Sequence, residues 1–195
     1  MEKEIRTLHE KVEVRSNEEG KKVIVGYAAK FNVLSNGMWG FKEKLDRHAF
    51  DNVLDDDVRA LFNHDPNYVL GRTKNGTLKL TVDDIGLRYE IIPPDTTWAN
   101  DLIKSMERGD INQSSFAFTL DYNDPDAEEW EYDEDNDIYI RTIKKIKRLY
   151  DVSPVTYPAY EQTESVIAQR SLEKAKEKYK KQDVNKISIL KENYN

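Results

Sequence analysis

The sequence contains no cysteine, which excludes a disulfide framework, a zinc site with thiolate ligands and a cysteine nucleophile. Hydrolytic chemistry would therefore have to use Ser, Thr, Asp, Glu or a bound metal. A chain without cysteine suits a reducing compartment, and we expect a cytoplasmic protein.

Long apolar runs are also missing. Charged residues make up 34% of the chain, and no apolar run approaches the roughly 20 residues that cross a bilayer. The first residues are charged and lack the apolar segment of a secretory signal, so we expect neither a membrane protein nor an exported one. The net charge of -7 disfavours general or specific nucleic-acid binding, because phosphate-binding proteins usually carry a concentrated basic surface.

The 195 residues suffice for one domain with a substantial core. Charge patterning divides them into a domain of residues 1–170 and a lysine-rich tail of residues 171–195, which we expect to be helical or flexible.

Apolar and polar residues alternate with period two over most of the first two-thirds of the chain, which predicts strands. The predicted strands are residues 11–15, 21–31, 58–64, 77–82, 86–92 and 114–120, with one long or two short strands in 138–155. Apolar residues from Trp98 to Met106 recur at helical spacing; Thr96 or Thr97 could cap this helix, and Gly109 would end it. The pattern predicts a mainly β (α+β) fold with peripheral helices, arranged as an antiparallel barrel.

Two adjacent serines begin the strand "SSFAFTL". Because successive strand side chains point to opposite faces, Ser114 shares a bulky apolar face with Phe116 and Phe118. Ser115 shares a face with the small Ala117, which would leave space over the sheet for another molecule. Ser115 is the better nucleophile candidate, although serines begin many strands for structural reasons alone.

A serine nucleophile needs a base and usually a third group that orients the base. Of the three histidines, His9 lies in a charged segment and His48 in a short helix-like stretch, whereas His64 stands where a strand meets the turn-like "DPN". His64 is the best candidate base, against the alternative of a surface histidine in a turn. Asp151 is the candidate third group, and Asp110 is another acid that could take this role.

An ordered series of motifs between about Gly26 and Arg170 resembles the HK97-type prohead protease family of tailed bacteriophages. The motifs are "GYAAKFN", "FKEKLDRHAF", "RALFNHDPNYVLGRT", "GTLKL", "GLRYE", "RGDINQSSFAF" and "RLYDVSPVTYPAYEQT". By motif, His64 in "FNHD" matches the family's catalytic histidine and Ser115 in "SFAF" its nucleophile. The chain departs from the family's usual "SFGF" at Ala117. Asp151 stands where the family commonly has an acid.

The resemblance implies a closed antiparallel β-barrel similar to that of the herpesvirus assemblins. It implies a serine endopeptidase that cleaves scaffold segments, the major capsid protein and itself inside the immature capsid (prohead), in the cytoplasm of the bacterial host. A non-catalytic module with the same fold that binds capsid or scaffold protein is the alternative. By analogy with the assemblins, a homodimer is also expected, and no cofactor is implied.

The segment 121–137 contains ten acidic residues, which raises the question of a calcium site. It lacks the glycine and the correctly spaced bidentate Glu of an EF-hand loop. We therefore expect a solvated hairpin tip and no metal site.

Overall fold

The computed structural model describes residues 3–8, 12–35, 40–157 and 166–192. More of the described residues belong to β-strands than to helices. The strands are β1 (Glu4–Leu8), β2 (Glu13–Ser16), β3 (Lys22–Lys30), β4 (Phe41–Leu45), β5 (Arg59–Phe62), β6 (Asp65–Arg72), β7 (Leu78–Val82), β8 (Gly86–Ile91), β9 (Gln113–Thr119), β10 (Glu128–Asp133), β11 (Ile138–Ile143) and β12 (Arg148–Val155). The helices are α1 (Thr97–Arg108), α2 (Val166–Glu192) and a single 3₁₀ turn (Thr73–Asn75).

The strands form three sheets. A five-stranded sheet has the order β1-β9-β12-β5-β6, a four-stranded sheet the order β2-β3-β8-β7, and a three-stranded sheet the order β10-β11-β4. Most pairs are antiparallel, but β12 pairs with β5 and β11 pairs with β4 in parallel.

The predicted closed antiparallel barrel is therefore wrong, although a mainly β fold with helices is present. In the described part of the chain no sheet closes on itself, and the five-stranded sheet has β1 and β6 as its two edges. Closure would require such edges to pair with each other. The physical reason for the error is that alternation reports which residues face a core, but not which strand pairs with which.

The larger of two apolar clusters among the described residues contains side chains from both the five-stranded and the four-stranded sheet. Phe116 of β9 packs edge-on against Phe50 at a centroid distance of 5.6 Å, and both rings are buried. Helix α1 adds Leu102 and Met106 to the same core. The five-stranded sheet is thus held rigidly from one face, which fixes the positions of the residues that it carries.

Helix α1 matches the predicted helix closely. It ends at Gly109, which adopts φ +87° and closes the helix with a backbone hydrogen bond to Met106. Thr96 occupies the N-cap position, but its side chain makes no capping hydrogen bond.

Helix α2 packs on the three-stranded sheet. Ala168 and Leu172 are buried against Phe41 and Trp130, and Tyr179 donates a hydrogen bond to the backbone oxygen of Trp130 at 2.9 Å. The helix spans residue 170, and the division there into a domain and a tail stays a prediction. None of the described helices is long and apolar enough to cross a membrane.

Candidate active site

The two serines of β9 have opposite surroundings. Ser114 faces the core, where its Oγ lies 2.6 Å from the hydroxyl oxygen of Tyr89. Burial raises the pKa of Tyr89, so this phenol stays protonated and available as a donor. Ser115 faces the other side together with Ala117. The open space expected beside Ser115 is absent, since Ser115 is 0% and Ala117 1% exposed.

His64 lies in the tight turn between β5 and β6. Phe62 pairs with Asp65, and the two residues between them, Asn63 and His64, have φ values of +54° and +59°. Positive φ at both central residues defines a type I′ turn, a connection that favours Asn at its first position. The strand therefore ends two residues earlier than predicted, and "DPN" begins β6 instead of forming the turn.

Asn63 fastens this turn to the end of β12. Its side-chain oxygen accepts a hydrogen bond from the main-chain N–H of Thr156 at 2.9 Å, and its main-chain N–H donates to the Pro154 carbonyl oxygen at 3.1 Å. These contacts hold the adjacent His64 over β12.

Asp151 and Ser153 project from β12 on the same face as Ser115. Ser153 lies directly opposite Ser115 in the β9–β12 register, and Asp151 lies opposite Ala117. The register shifts between Leu149 and Asp151, so a local irregularity immediately precedes the carboxylate.

The structure brings Ser115, His64 and Asp151 into one hydrogen-bonded chain. His64 Nε2 lies 2.7 Å from Ser115 Oγ, and His64 Nδ1 lies 2.5 Å from Asp151 Oδ1. Ser153 donates from its Oγ to the same Asp151 oxygen at 2.9 Å. Asp151 is 3% exposed and the His64 side chain 17%, so solvent reaches this chain of groups mainly at the imidazole.

The other candidate residues are not part of this chain of groups. His48 is exposed and pairs with Asp51 at 2.9 Å. Asp110 forms an exposed ion pair with Arg108 at the end of α1. His9 lies outside the described residues.

Two arginines near these motifs could be considered as donors to an oxyanion, and both have other partners. Arg72 donates two hydrogen bonds of 2.7 Å to the Asp57 carboxylate. Those hydrogen bonds lower the pKa of Asp57 to about 2. The Arg148 guanidinium lies over the Tyr150 ring, 4.8 Å from its centroid. Each guanidinium therefore already has a partner outside the group formed by Ser115, His64 and Asp151.

Strand β1 contacts the candidate nucleophile, which the motif analysis did not anticipate. Thr7 lies directly opposite Ser115, and their side-chain oxygens are 3.4 Å apart. Ser115 Oγ also donates a hydrogen bond to the main-chain oxygen of Arg6 at 2.8 Å. The N-terminal residues that form β1 are mostly charged or polar, and nothing in their sequence predicts that they pair with β9.

The opposite face of β1 contributes to a cluster of mostly buried charged side chains, here called the ion cluster. Its members are Glu4, Arg6, Glu43, Glu128 and Arg141. Arg141 is 0% exposed and contacts Glu4 and Glu43 at 2.8 Å each. Burial by itself would raise the pKa of Glu4, but the charges of Arg141 and Arg6 outweigh it and lower the pKa to about 2. The cluster therefore anchors β1 through ionised side chains.

The geometry can be compared with known proteins. The model of the caudovirus prohead serine protease family matches residues 10–178. No curated protein sequence matches the chain. The solved structure of the bacteriophage T4 capsid assembly protease, gp21, is 13% identical; the match covers 78% of this chain and 99% of that chain, with a TM-score of 0.43.

Proposed function

The chain belongs to the caudovirus prohead serine protease family, and we propose that Ser115, His64 and Asp151 are its nucleophile, general base and orienting acid. The observation that carries the assignment is the unbroken series of contacts from Ser115 Oγ through both ring nitrogens of His64 to Asp151. The base lies within hydrogen-bonding distance of both the nucleophile and the orienting group, as acyl transfer requires.

In the first half of the proposed reaction, Ser115 Oγ bonds to the scissile carbonyl carbon while His64 Nε2 takes the hydroxyl proton. Collapse of the tetrahedral intermediate breaks the C–N bond, and Nε2 returns its proton to the leaving amine. In the second half, His64 Nε2 takes a proton from water as the water oxygen bonds to the acyl carbon. The ester bond between that carbon and Ser115 Oγ then breaks, and Nε2 gives the proton to Ser115 Oγ. Peptide and water are thereby converted to a carboxylic acid and an amine.

Asp151 keeps the proton of His64 on Nδ1 and stabilises the imidazolium that forms in each half. Ser153 is proposed as a positioning residue, since its hydroxyl fixes the same carboxylate oxygen that accepts from His64. Because Asp151 is almost completely buried, its hydrogen bonds are little weakened by competing water.

The proposed substrates are scaffold segments and the major capsid protein, cleaved inside the prohead in the host cytoplasm, together with the protease itself. Membership of the HK97-type branch, similarity to the assemblins and a homodimeric state are further proposals, which rest on the motifs and on analogy.

A non-catalytic assembly module is the second candidate, favoured by one observation. Ser115 is completely buried, as expected for a serine that does not meet a substrate. Activity measurements separate the two candidates.

The test is co-expression with the major capsid protein of the same phage, followed by mass analysis of the capsid protein. We expect the wild type to shorten the capsid protein, and the variants Ser115→Ala and His64→Ala to leave it intact. His48→Ala is the matched control, because it removes an exposed histidine that also pairs with an aspartate. Cleavage by folded Ser115→Ala protein would refute the assignment.

A further inference from the structure

The candidate nucleophile is covered by a strand at the edge of its sheet. Ser115 is 0% exposed, and on one side it meets Thr7 and the main chain of Arg6. Strand β1, which carries both residues, is the terminal strand of the five-stranded sheet, and among the described strands it pairs only with β9. One set of backbone hydrogen bonds therefore joins this cover to the sheet.

The hydrogen bonds of Ser115 conflict with its role as a nucleophile while β1 is in place. A hydroxyl has one proton to donate, and a carbonyl oxygen can only accept. When Ser115 donates to the Arg6 oxygen at 2.8 Å, His64 Nε2 at 2.7 Å can interact favourably only as a donor. With Nδ1 also donating to Asp151, the ring is then an imidazolium, which cannot accept the serine proton.

We propose that β1 is a displaceable cover, and that cleavage requires β1 to separate from β9 around Thr7. This inference rests on the proposed role of Ser115. Separation removes the Arg6 carbonyl as a competing acceptor, so the Ser115 proton can pass to a neutral His64. It also exposes the backbone N–H and C=O groups of β9, and an extended substrate peptide can pair with them in place of β1.

The ion cluster explains why the covered arrangement is the resting one. Glu4 and Arg6 point away from Ser115 and hold β1 through Glu43 and Arg141. These contacts are buried and charged, so they act against separation without touching the catalytic groups. The cover is thus held by side chains on one face of β1, while its backbone occupies the active site.

A disulfide that locks β1 to β9 tests the proposal. Ile5 and Ala117 are direct cross-strand partners. Opposite residues of antiparallel strands have Cα atoms about 4.5–5.5 Å apart, within the range that a disulfide spans. The chain has no other cysteine, so Ile5→Cys with Ala117→Cys can form a single intramolecular bond. The probe is a fluorophosphonate, which labels an activated serine.

We expect the oxidised double variant to label no faster than the Ser115→Ala background, and reduction with dithiothreitol to restore labelling. Ala117→Cys alone, treated identically, controls for the new side chain. Equal labelling of the oxidised and reduced double variants would overturn the proposal.

Amide hydrogen exchange of the wild type decides the question independently of catalysis. If β1 opens locally, its amides bonded to β9 should exchange at least about tenfold faster than those joining β9 to β12. Equal protection of the two sets would overturn the cover. If neither the oxidised nor the reduced protein is labelled while the amides of β1 exchange fast, the result would count against Ser115 as the nucleophile and not against β1 as a cover.

Discussion

Replacing Glu4 by Gln tests the energetic role of the ion cluster. Glu4 is 1% exposed, and its carboxylate contacts Arg6 at 2.7 Å and Arg141 at 2.8 Å. Gln keeps the size of the side chain and removes its charge. The variant therefore isolates the electrostatic contribution of one buried carboxylate.

The expected magnitude follows from the pKa of Glu4, which is lowered from its ordinary value of 4.5 to about 2. Since each pKa unit corresponds to ~1.36 kcal/mol, the ionised carboxylate contributes about 3 kcal/mol to the free energy of unfolding at pH 7. A lowered pKa in the folded state means that this contribution is fully present above pH 4.5 and is lost as the pH falls through about 2. The wild type should lose about 3 kcal/mol of unfolding free energy between pH 4.5 and about 2 through protonation of Glu4, and Glu4→Gln should not show this loss.

The assay is urea unfolding of both proteins at a series of pH values from 7 to 2. The difference between them should shrink from about 3 kcal/mol at pH 7 towards zero at the acid end. Glu129→Gln is the control: it breaks a half-exposed pair with Lys144 at 3.4 Å, worth at most about 1 kcal/mol. A constant difference between wild type and Glu4→Gln over the whole pH range would refute the reasoning.

Three further predictions concern the surroundings of Ser115. Asp151→Asn should lower turnover by about 10⁴-fold in a peptide-cleavage assay without unfolding the protein, because an amide does not hold the His64 tautomer; near-normal turnover would assign the role to another acid. Ser114→Ala and Tyr89→Phe should each lower the free energy of unfolding, measured with urea, by about 1–3 kcal/mol, because each leaves a buried hydroxyl unpaired. The double variant should lose less than the sum of the two single losses, and strict additivity would contradict the proposed pairing. Asn63→Gly keeps the positive φ and the main-chain hydrogen bond to Pro154 but removes the side-chain hydrogen bond with Thr156, so turnover should fall by up to about 100-fold with little change in stability. Unchanged turnover would show that this side-chain contact is dispensable.

Much of the secondary structure follows from local patterns. Alternation identified β3, β7, β8 and β9, and the spacing of apolar residues with a closing glycine identified α1. Strands β1 and β4 were not predicted, although both carry ion-cluster residues. Their alternation includes Glu4, Arg6 and Glu43, which are polar yet buried, so a pattern based on hydrophobicity misses them. Buried charges are recognisable only when their partners are known.

For the candidate site, the sequence itself separated Ser114 from Ser115, because neighbouring strand residues face opposite sides whatever the fold. Elimination among three histidines suggested His64, and an acid within a strand-like run suggested Asp151; the motif resemblance then matched both positions, and their catalytic roles remain predictions. Ser153 and Asn63 were missed, since a serine or an asparagine in these segments gives no signal until the turn and β12 are adjacent.

The sequence by itself determined the mainly β composition, the position of α1, the exclusion of cysteine chemistry and the family motifs, because these depend on residue types and short-range spacing. Only the tertiary structure decided the pairing of strands, the open edges of the sheets and the position of β1 against Ser115. Strand pairing joins residues as far apart as Thr7 and Ser115 through backbone groups that every residue possesses. Which backbone groups meet is therefore set by the packing of the whole chain and not by any local pattern.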